Sequence, residues 1–160
     1  MKLKPKYCAV LKAKRGFTLV ETMIAVGLVA IISGVSITTL KSFLPRYRLS
    51  SAAREVFTDL MNARMQAVSK KHQMLIIFPS SPSYQYTIIE DRNNDGVASS
   101  GEPSRTYDLH SSFGNVTVAS PSSIIFKPLG TAAAGVAITV TGSAGTKTVL
   151  VSIGGRVKIQ

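Results

Sequence analysis

The stretch that decides the fold lies at residues 14–21 and reads KRGFTLVE. It runs directly into nineteen consecutive residues without a charge, Thr22 to Leu40, most of them Val, Ile, Leu, Ala and Met. About 20 such residues are enough to cross the hydrocarbon core of a bilayer as an α-helix. The sequence therefore predicts one transmembrane helix over residues 17–44.

Basic residues are concentrated before this apolar run. The chain carries 19 basic and 8 acidic residues, and six of the basic ones lie within the first fifteen residues. By the positive-inside rule, these charges keep the amino terminus in the cytoplasm and send the remainder of the chain outward. Beyond residue 16 the chain is only mildly basic, with thirteen basic and eight acidic side chains. The formal charge of +11 is therefore not by itself evidence for nucleic-acid binding.

A secretory signal peptide is the main alternative for this region. Such a peptide also has a basic start and an apolar core, and small residues lie near Ser33 to Ser36. However, the apolar run is longer than the usual core, and Glu21 places a charge at its start. A carboxylate deep in the bilayer costs about 2.5–3.5 kcal/mol, so Glu21 needs either a partner or a position at the membrane interface.

Residues 14–21 resemble the processing site of type IV prepilins and pseudopilins, which a membrane peptidase cuts after the glycine. The resemblance covers the basic leader, Gly16 and Phe17 at the cut, Glu21 and the long apolar helix. It implies a leader peptide over residues 1–16, cleavage between Gly16 and Phe17, and N-methylation of Phe17. It also implies that the new amine pairs with Glu21 of a neighbouring subunit. The implied partners are the prepilin peptidase, the inner membrane and other pilins or pseudopilins in a filament.

A helical pattern continues after the apolar run. Apolar residues recur at spacings of three and four, namely Leu49, Ala53, Val56, Leu60, Ala63 and Ala67. The pattern predicts the amphipathic half of one long helix over residues 45–71, with a kink at Pro45 and an end at Lys70 or Lys71. Its apolar stripe must be buried against the rest of the chain.

Beyond His72, short apolar runs alternate with Gly, Pro, Ser and Asn, which predicts a β domain over residues 72–160. The predicted strands are Met74 to Phe78, Tyr84 to Glu90, Arg105 to Leu109, Val116 to Val118, Ile124 to Lys127, Val136 to Thr141, Thr148 to Ile153 and Arg156 to Ile159. Gly154 and Gly155 predict a two-residue hairpin near a sheet edge. The fold class is α+β, with antiparallel sheets packed on the long helix.

Two segments of this domain, residues 123–130 and 151–157, look like the GspH/FimT type of minor pseudopilin. That resemblance implies a pilin-like lollipop, anchored by a single pass in the bacterial inner membrane with its carboxy-terminal domain periplasmic. It implies a minor pilin or pseudopilin of a type II secretion pseudopilus or a type IV pilus, located in the filament after assembly.

Residues 91–102 fit the calcium-loop pattern D-x-[DN]-x-[DN]-G-x5-E. The candidate calcium ligands are Asp91, Asn93, Asp95, Val97, Ser99 and Glu102. A strand-like run before the loop and Pro103 after it leave no helix pair of the EF-hand kind. The alternative is an Asx-rich turn whose side chains cap their own backbone. A calcium-stabilised adhesive tip is the corresponding functional hypothesis.

Arg156 and Lys158 alternate on the last predicted strand and therefore share one face. The segment Gly155-Arg156-Val157-Lys158 is similar to the basic Gly-Arg-x-Arg segment of DNA-uptake minor pilins, with Lys in place of the second Arg. The resemblance implies DNA binding during natural transformation as an alternative function. The other interpretation is that these charges are solvated and protect an edge strand from aggregation.

The sequence gives little support for catalysis. The single cysteine, Cys8, lies in the leader, and His72 and His110 share no metal-ligand spacing. No Ser-His-Asp or Cys-His arrangement and no phosphate-binding glycine loop is evident. We therefore expect a structural subunit, not an enzyme.

Overall fold

The computed structural model describes residues 16–79 and 82–160, except for the side chains of residues 35–39 and 42. It contains two compact units, Met1–Leu40 and Lys41–Gln160. The predicted leader peptide, residues 1–16, lies outside the described residues apart from Gly16. Within the described part of the chain, no helix is both long and apolar enough to cross a membrane. The span over residues 17–44 stays a prediction.

One long helix, α1, covers Leu19–Lys70 and includes Pro45. It corresponds closely to the helix predicted over residues 17–71. Lys70 lies in its last turn, where a cation interacts favourably with the helix dipole. The helix ends where Lys71 adopts a left-handed backbone conformation with a φ of 60°.

The remainder of the chain forms eight strands and one short helix. In chain order these elements are β1 Gln73–Ile77, β2 Gln85–Asp91, β3 Ser104–Asp108, α2 Leu109–Phe113, β4 Thr117–Ala119, β5 Ile124–Phe126, β6 Val136–Gly142, β7 Gly145–Val151 and β8 Val157–Ile159. The strands form two four-stranded sheets, with the orders β3-β2-β1-β5 and β4-β6-β7-β8. All paired strands are antiparallel.

The predicted α+β class is confirmed, and every predicted strand is present with ends that shift by up to three residues. Helix α2 was not predicted, because Leu109 was assigned to the end of a strand. In the structure, Asp108 instead caps α2, and its Oδ1 accepts a hydrogen bond from the backbone N of His110 at 2.8 Å.

The hydrophobic core lies between residues 49–67 of α1 and one face of each sheet. The predicted helix stripe is buried, and Ala52 is part of it. The first sheet contributes Ile76 and Phe126, and the second contributes Ile138 and Val149, all of them almost inaccessible to solvent. The second half of the helix thus buries its apolar stripe under both sheets.

A polar contact fastens α1 to the loops at one end of both sheets. Nε of Arg64 donates a hydrogen bond to the carbonyl oxygen of Gly130 at 2.7 Å. A Cβ placed on Gly155 would lie 1.9 Å from that same oxygen. Gly155 also has a φ of 75°, which glycine adopts without strain. We call Arg64, Gly130 and Gly155 the clasp.

The predicted β-hairpin at the end of the chain is present, since β7 pairs antiparallel with β8, but its predicted two-residue loop at Gly154-Gly155 is wrong. Strand β7 ends at Val151 and β8 begins at Val157, so the connection has five residues. The turn is centred on Ile153 and Gly154, because the N–H of Gly155 donates a hydrogen bond to the carbonyl oxygen of Ser152 at 2.8 Å. The carbonyl oxygen of Ile153 also accepts a hydrogen bond from the N–H of Ala132 at 2.9 Å. The prediction that β8 lies at a sheet edge is confirmed.

A buried carboxylate joins the end of α1 to the first sheet. Glu90 of β2 is only 8% exposed. Its Oε2 lies 2.6 Å from Nζ of Lys70, and its Oε1 lies 3.2 Å from Nε of Arg92. The hydrogen bond from Lys70, and less so the one from Arg92, holds the pKa of Glu90 below its ordinary value, although burial opposes this.

Gly155→Ala is expected to lower the free energy of unfolding by about 3 kcal/mol, because the new methyl overlaps the Gly130 carbonyl and alanine disfavours this φ. Urea unfolding of the full chain, followed by circular dichroism, measures the change. Gly154→Ala is the matched control, since no atom lies within 4 Å of its Cβ position, and it should change stability by less than about 0.5 kcal/mol. Equal stability of the two variants would contradict the clasp.

Glu90→Gln is expected to lower the free energy of unfolding at pH 7 by about 1–3 kcal/mol, because two cations lose their charged partner. The folded pKa of Glu90 lies below its ordinary value of 4.5, so the extra stability is present above pH 4.5 and is lost as the pH falls through the folded pKa. Urea unfolding should show the gap between parent and variant closing below pH 4.5. A stability difference between parent and variant that stays constant across this pH range would contradict a lowered pKa for Glu90.

Candidate functional site

The predicted cleavage site precedes α1 and is exposed. Gly16 and Phe17 have no regular secondary structure, and the helix begins at Leu19. Phe17 is 86% exposed, and no described atom lies within 4 Å of the Cβ position of Gly16. The described residues therefore leave the bond between Gly16 and Phe17 open to a peptidase. Cleavage there and N-methylation of Phe17 stay predictions.

Glu21 and Thr18 form a reciprocal cap at the start of α1. Oε2 of Glu21 accepts hydrogen bonds from the backbone N and Oγ1 of Thr18, at 3.0 and 3.1 Å. In return, the backbone N of Glu21 donates to Oγ1 of Thr18 at 3.2 Å. Thr18 was not among the residues predicted from the sequence, although Thr-x-x-Glu before an apolar run is the signal for this capping box. Glu21 thus has a partner within its own subunit.

The side chains of the predicted calcium loop bind the backbone of the loop itself. Asp91 is fully buried, and its Oδ2 and Oδ1 accept hydrogen bonds from the N–H groups of Gly96 and Asp95, at 2.7 and 3.3 Å. Oδ1 of Asp95 accepts from the N–H of Val97 at 2.8 Å. Glu102 accepts two further backbone N–H groups of the loop. These contacts are those of an Asx-rich turn whose side chains cap their own backbone.

The loop also covers part of the first sheet. Oδ1 of Asn94 accepts a hydrogen bond from the N–H of Gln73 at 2.7 Å, and Gly96 lies against Cδ1 of Ile125. Within the described part of the chain, no group of three or more His, Cys, Asp or Glu side chains is arranged to hold a metal ion. Calcium binding by the predicted ligands, including Asn93 and Ser99, stays a prediction.

Arg156 and Lys158 lie exposed on the same side of the β7–β8 hairpin. Together with Ala137 and Leu150 they line an open groove of about 580 Å³ on the outer face of the second sheet. Neither cation forms an ion pair with a described acidic side chain. The structure thus brings these two predicted residues together, and DNA binding by them stays a prediction.

Another buried carboxylate, Asp59 of α1, was not singled out from the sequence. Its Oδ2 accepts a hydrogen bond from the hydroxyl of Tyr86 at 2.5 Å. Burial raises the pKa of Asp59, while the bond from Tyr86 and the charge of Arg105 oppose the rise. Burial and this same hydrogen bond also raise the pKa of the Tyr86 hydroxyl. The pair ties the helix to β2 and has a structural role.

Comparisons with known proteins identify two parts of the chain. Residues 52–155 match the family model described as type II transport protein GspH. Residues 11–37 match a prokaryotic N-terminal methylation motif. No curated protein sequence matches the chain significantly.

Two kinds of solved structure are similar to this fold. The crystal structure of the type IV minor pilin FimU from Pseudomonas aeruginosa has a TM-score of 0.56 and 22% identity, over 74% of this chain and 92% of that chain. The minor pseudopilin EpsH from the Type 2 Secretion System of Vibrio cholerae has a TM-score of 0.54 and 7% identity, over 71% and 96%. At these identities the likeness establishes the fold, and the predicted pilin-like fold is confirmed.

Asp91→Ala is expected to lower the free energy of unfolding by about 1–3 kcal/mol, because the N–H groups of Asp95 and Gly96 lose their acceptor. Thermal melting of parent and variant, each in EDTA and in calcium, measures the change, with exposed Ser100→Ala as the control. An equal loss in both buffers means that turn capping accounts for Asp91. A parent that melts higher in calcium, with the shift absent from Asp91→Ala, would establish the calcium site instead.

Proposed function

The chain belongs to the type II transport protein GspH family, and on that premise we propose that it is a minor pilin or pseudopilin subunit of a type II secretion pseudopilus or a type IV pilus. In that role it supports protein secretion or pilus biogenesis. The proposal is carried by one observation: the methylation motif over residues 11–37 and the GspH-type domain from residue 52 share helix α1. The name of the matching family favours the secretion filament.

Assembly begins in this proposal with cleavage between Gly16 and Phe17. The cut removes the basic leader and creates an amine at Phe17, which is largely cationic at neutral pH and stays so when methylated. This amine approaches Glu21 of a neighbouring subunit. Because a charge pair is stronger in a water-poor environment, the contact strengthens as the helices pack in the filament core. Oε2 of Glu21 also accepts the hydrogen bonds of Thr18 at the start of its own helix.

The exposed apolar side chains of α1 support a membrane location before assembly. Large apolar residues at positions 19–31 are 56–75% exposed, among them Leu19, Met23 and Val26. Such a surface is stable only under lipid or against other helices. We therefore assign the subunit a single pass in the inner membrane, with its β domain on the outer side, and later a place in the filament.

The contacts of two buried carboxylates, Asp59 of α1 and Glu90 of β2, fit a structural role and not a catalytic one. Asp59 is hydrogen-bonded to Tyr86, and Glu90 is paired with Lys70. Both carboxylates therefore link the helix to the first sheet, and neither pair has the geometry of a nucleophile beside a general base.

Glu21→Gln is expected to be processed normally and yet to be depleted about tenfold or more from the filament fraction, because a neutral side chain cannot pair with the neighbour's amine. Thr18→Ala is the matched control, since it removes the hydroxyl that forms two of the three cap hydrogen bonds and leaves the carboxylate in place. Sheared filaments and membranes of cells that make each variant are compared by immunoblotting.

The two variants separate capping from pairing. If Thr18→Ala is depleted as strongly as Glu21→Gln, the helix cap accounts for Glu21 and the pairing is wrong. If Glu21→Gln enters filaments at the parental level, the proposed assembly step is contradicted.

A further inference from the structure

The groove on the outer face of the second sheet is not used by the assembly step above. Ala137, Leu150 and Lys158 are cross-strand neighbours in β6, β7 and β8 and form one row across it. Ser152 and Arg156 belong to the next row, joined by a hydrogen bond from Ser152 N to Arg156 O at 3.0 Å. The volume of about 580 Å³ falls in the range of ligand-binding clefts.

The groove has an apolar floor and one cationic side. Gly135 and Ala137 are small, so the space above β6 is open, and Leu150 is half-buried in the middle of the floor. Lys158 lies on β8 and Arg156 in the loop directly before it, so both cations lie along the β8 side of the groove. With no acidic partner among the described residues, both cations are available to an anion.

The clasp fixes the position of this cationic side. Gly155 packs against the carbonyl of Gly130 directly before Arg156. The backbone N of Arg156 also donates a hydrogen bond to Oγ of Ser152 at 3.1 Å. A site held in place before binding loses less conformational freedom when its ligand arrives.

We infer that this groove docks an extended segment of a neighbouring filament subunit in which an aliphatic side chain lies beside a carboxylate. The aliphatic side chain contacts Ala137 and Leu150, and the carboxylate is bound by Arg156 and Lys158. The inference rests on the proposed function for the identity of the partner, whereas the binding chemistry follows from the groove.

DNA fits the groove less well. Two cations neutralise few phosphates, and an apolar floor offers nothing to a phosphate oxygen. Sites for single-stranded nucleic acid stack the bases on aromatic side chains, and the described lining of this groove contains none. The lining therefore favours a protein segment.

Binding is measured by fluorescence anisotropy with the full chain in phosphatidylcholine nanodiscs. The probes are the fluorescein-labelled peptide Ser-Leu-Glu-Leu-Glu-Ser, the same peptide with Gln in place of Glu, and a labelled 20-base-pair DNA duplex. The Glu peptide should bind about tenfold more tightly than the Gln peptide. The double variant Arg156→Ala with Lys158→Ala should abolish this difference.

Two single variants test whether the apolar floor of the groove contributes to binding and whether the peptide binds at the groove. Ala137→Gln fills the open part of the floor without adding charge, and it should weaken binding of the Glu peptide about tenfold. Lys147→Ala removes a cation of β7 that does not line the groove, so it should change binding by less than about twofold. Equal binding of the Glu and Gln peptides, or no effect of Ala137→Gln, would overturn the inference. Tighter binding of the DNA duplex, lost in the double variant, would also overturn it.

The identity of the partner is tested in assembled filaments. A photocrosslinking residue at position 137 should link to an acidic segment of another subunit, whereas one at exposed Thr141 should not. Peptide binding does not require assembly. If the peptide fails to bind, the inferred function of the groove is overturned and the proposed function of the chain is not affected. Peptide binding without a cross-link to another subunit overturns the choice of partner.

Discussion

The burial of one stripe of helix α1 under two separate sheets is the interaction on which the rest of the structure depends. Ala52, Ala53, Ala63 and Ala67 of that stripe are at most 1% exposed, and Leu60 lies among them. Small side chains let strands approach the helix closely, and a larger residue there would overpack the core. Each sheet has one apolar face that must be shielded from water, and helix α1 packs against both of these faces.

Helix α1 has two segments that differ in their exposure to solvent. Residues 49–67 carry the core, whereas the described side chains of residues 17–34 are exposed, with Met23 and Val26 at 68% and 69%. The described residues of the chain therefore leave the apolar side chains of the first segment uncovered. The cap formed by Thr18 and Glu21 lies at the beginning of this same segment. In the proposed function, one continuous helix thus carries the core with one segment and the assembly step with the other.

Much of the fold follows from periodicity in the sequence. The spacing of three and four predicted the helix stripe, and short apolar runs between turn residues predicted all eight strands. The sheet orders did not follow, because the pairing of β5 with β1 and of β4 with β6 joins distant parts of the chain. The five-residue loop after Val151 was missed because its turn, closed by the hydrogen bond from the N–H of Gly155 to the carbonyl oxygen of Ser152, is centred one residue before the Gly-Gly pair.

The candidate sites were predictable to different degrees. Gly16, Phe17 and Glu21 were singled out because they form one continuous motif, and a local signal for Thr18 was present as well. The groove was not predictable, because Ala137 and Leu150 meet Lys158 only through strand pairing. The loop at residues 91–102 illustrates the opposite case. Its pattern is equally typical of a calcium loop and of a capped turn, and only the structure shows that Asp91 accepts hydrogen bonds from the backbone of the loop.

The mass of the amino-terminal peptide, measured on protein purified from its native membrane, tests the central claim most directly. The account predicts a chain that begins at Phe17 and carries one added methyl group on its amine. A chain that begins at an intact Met1, or at a cut near Ser36, would contradict it. Either result would leave a membrane-anchored or secreted β domain without the amine that the assembly step requires.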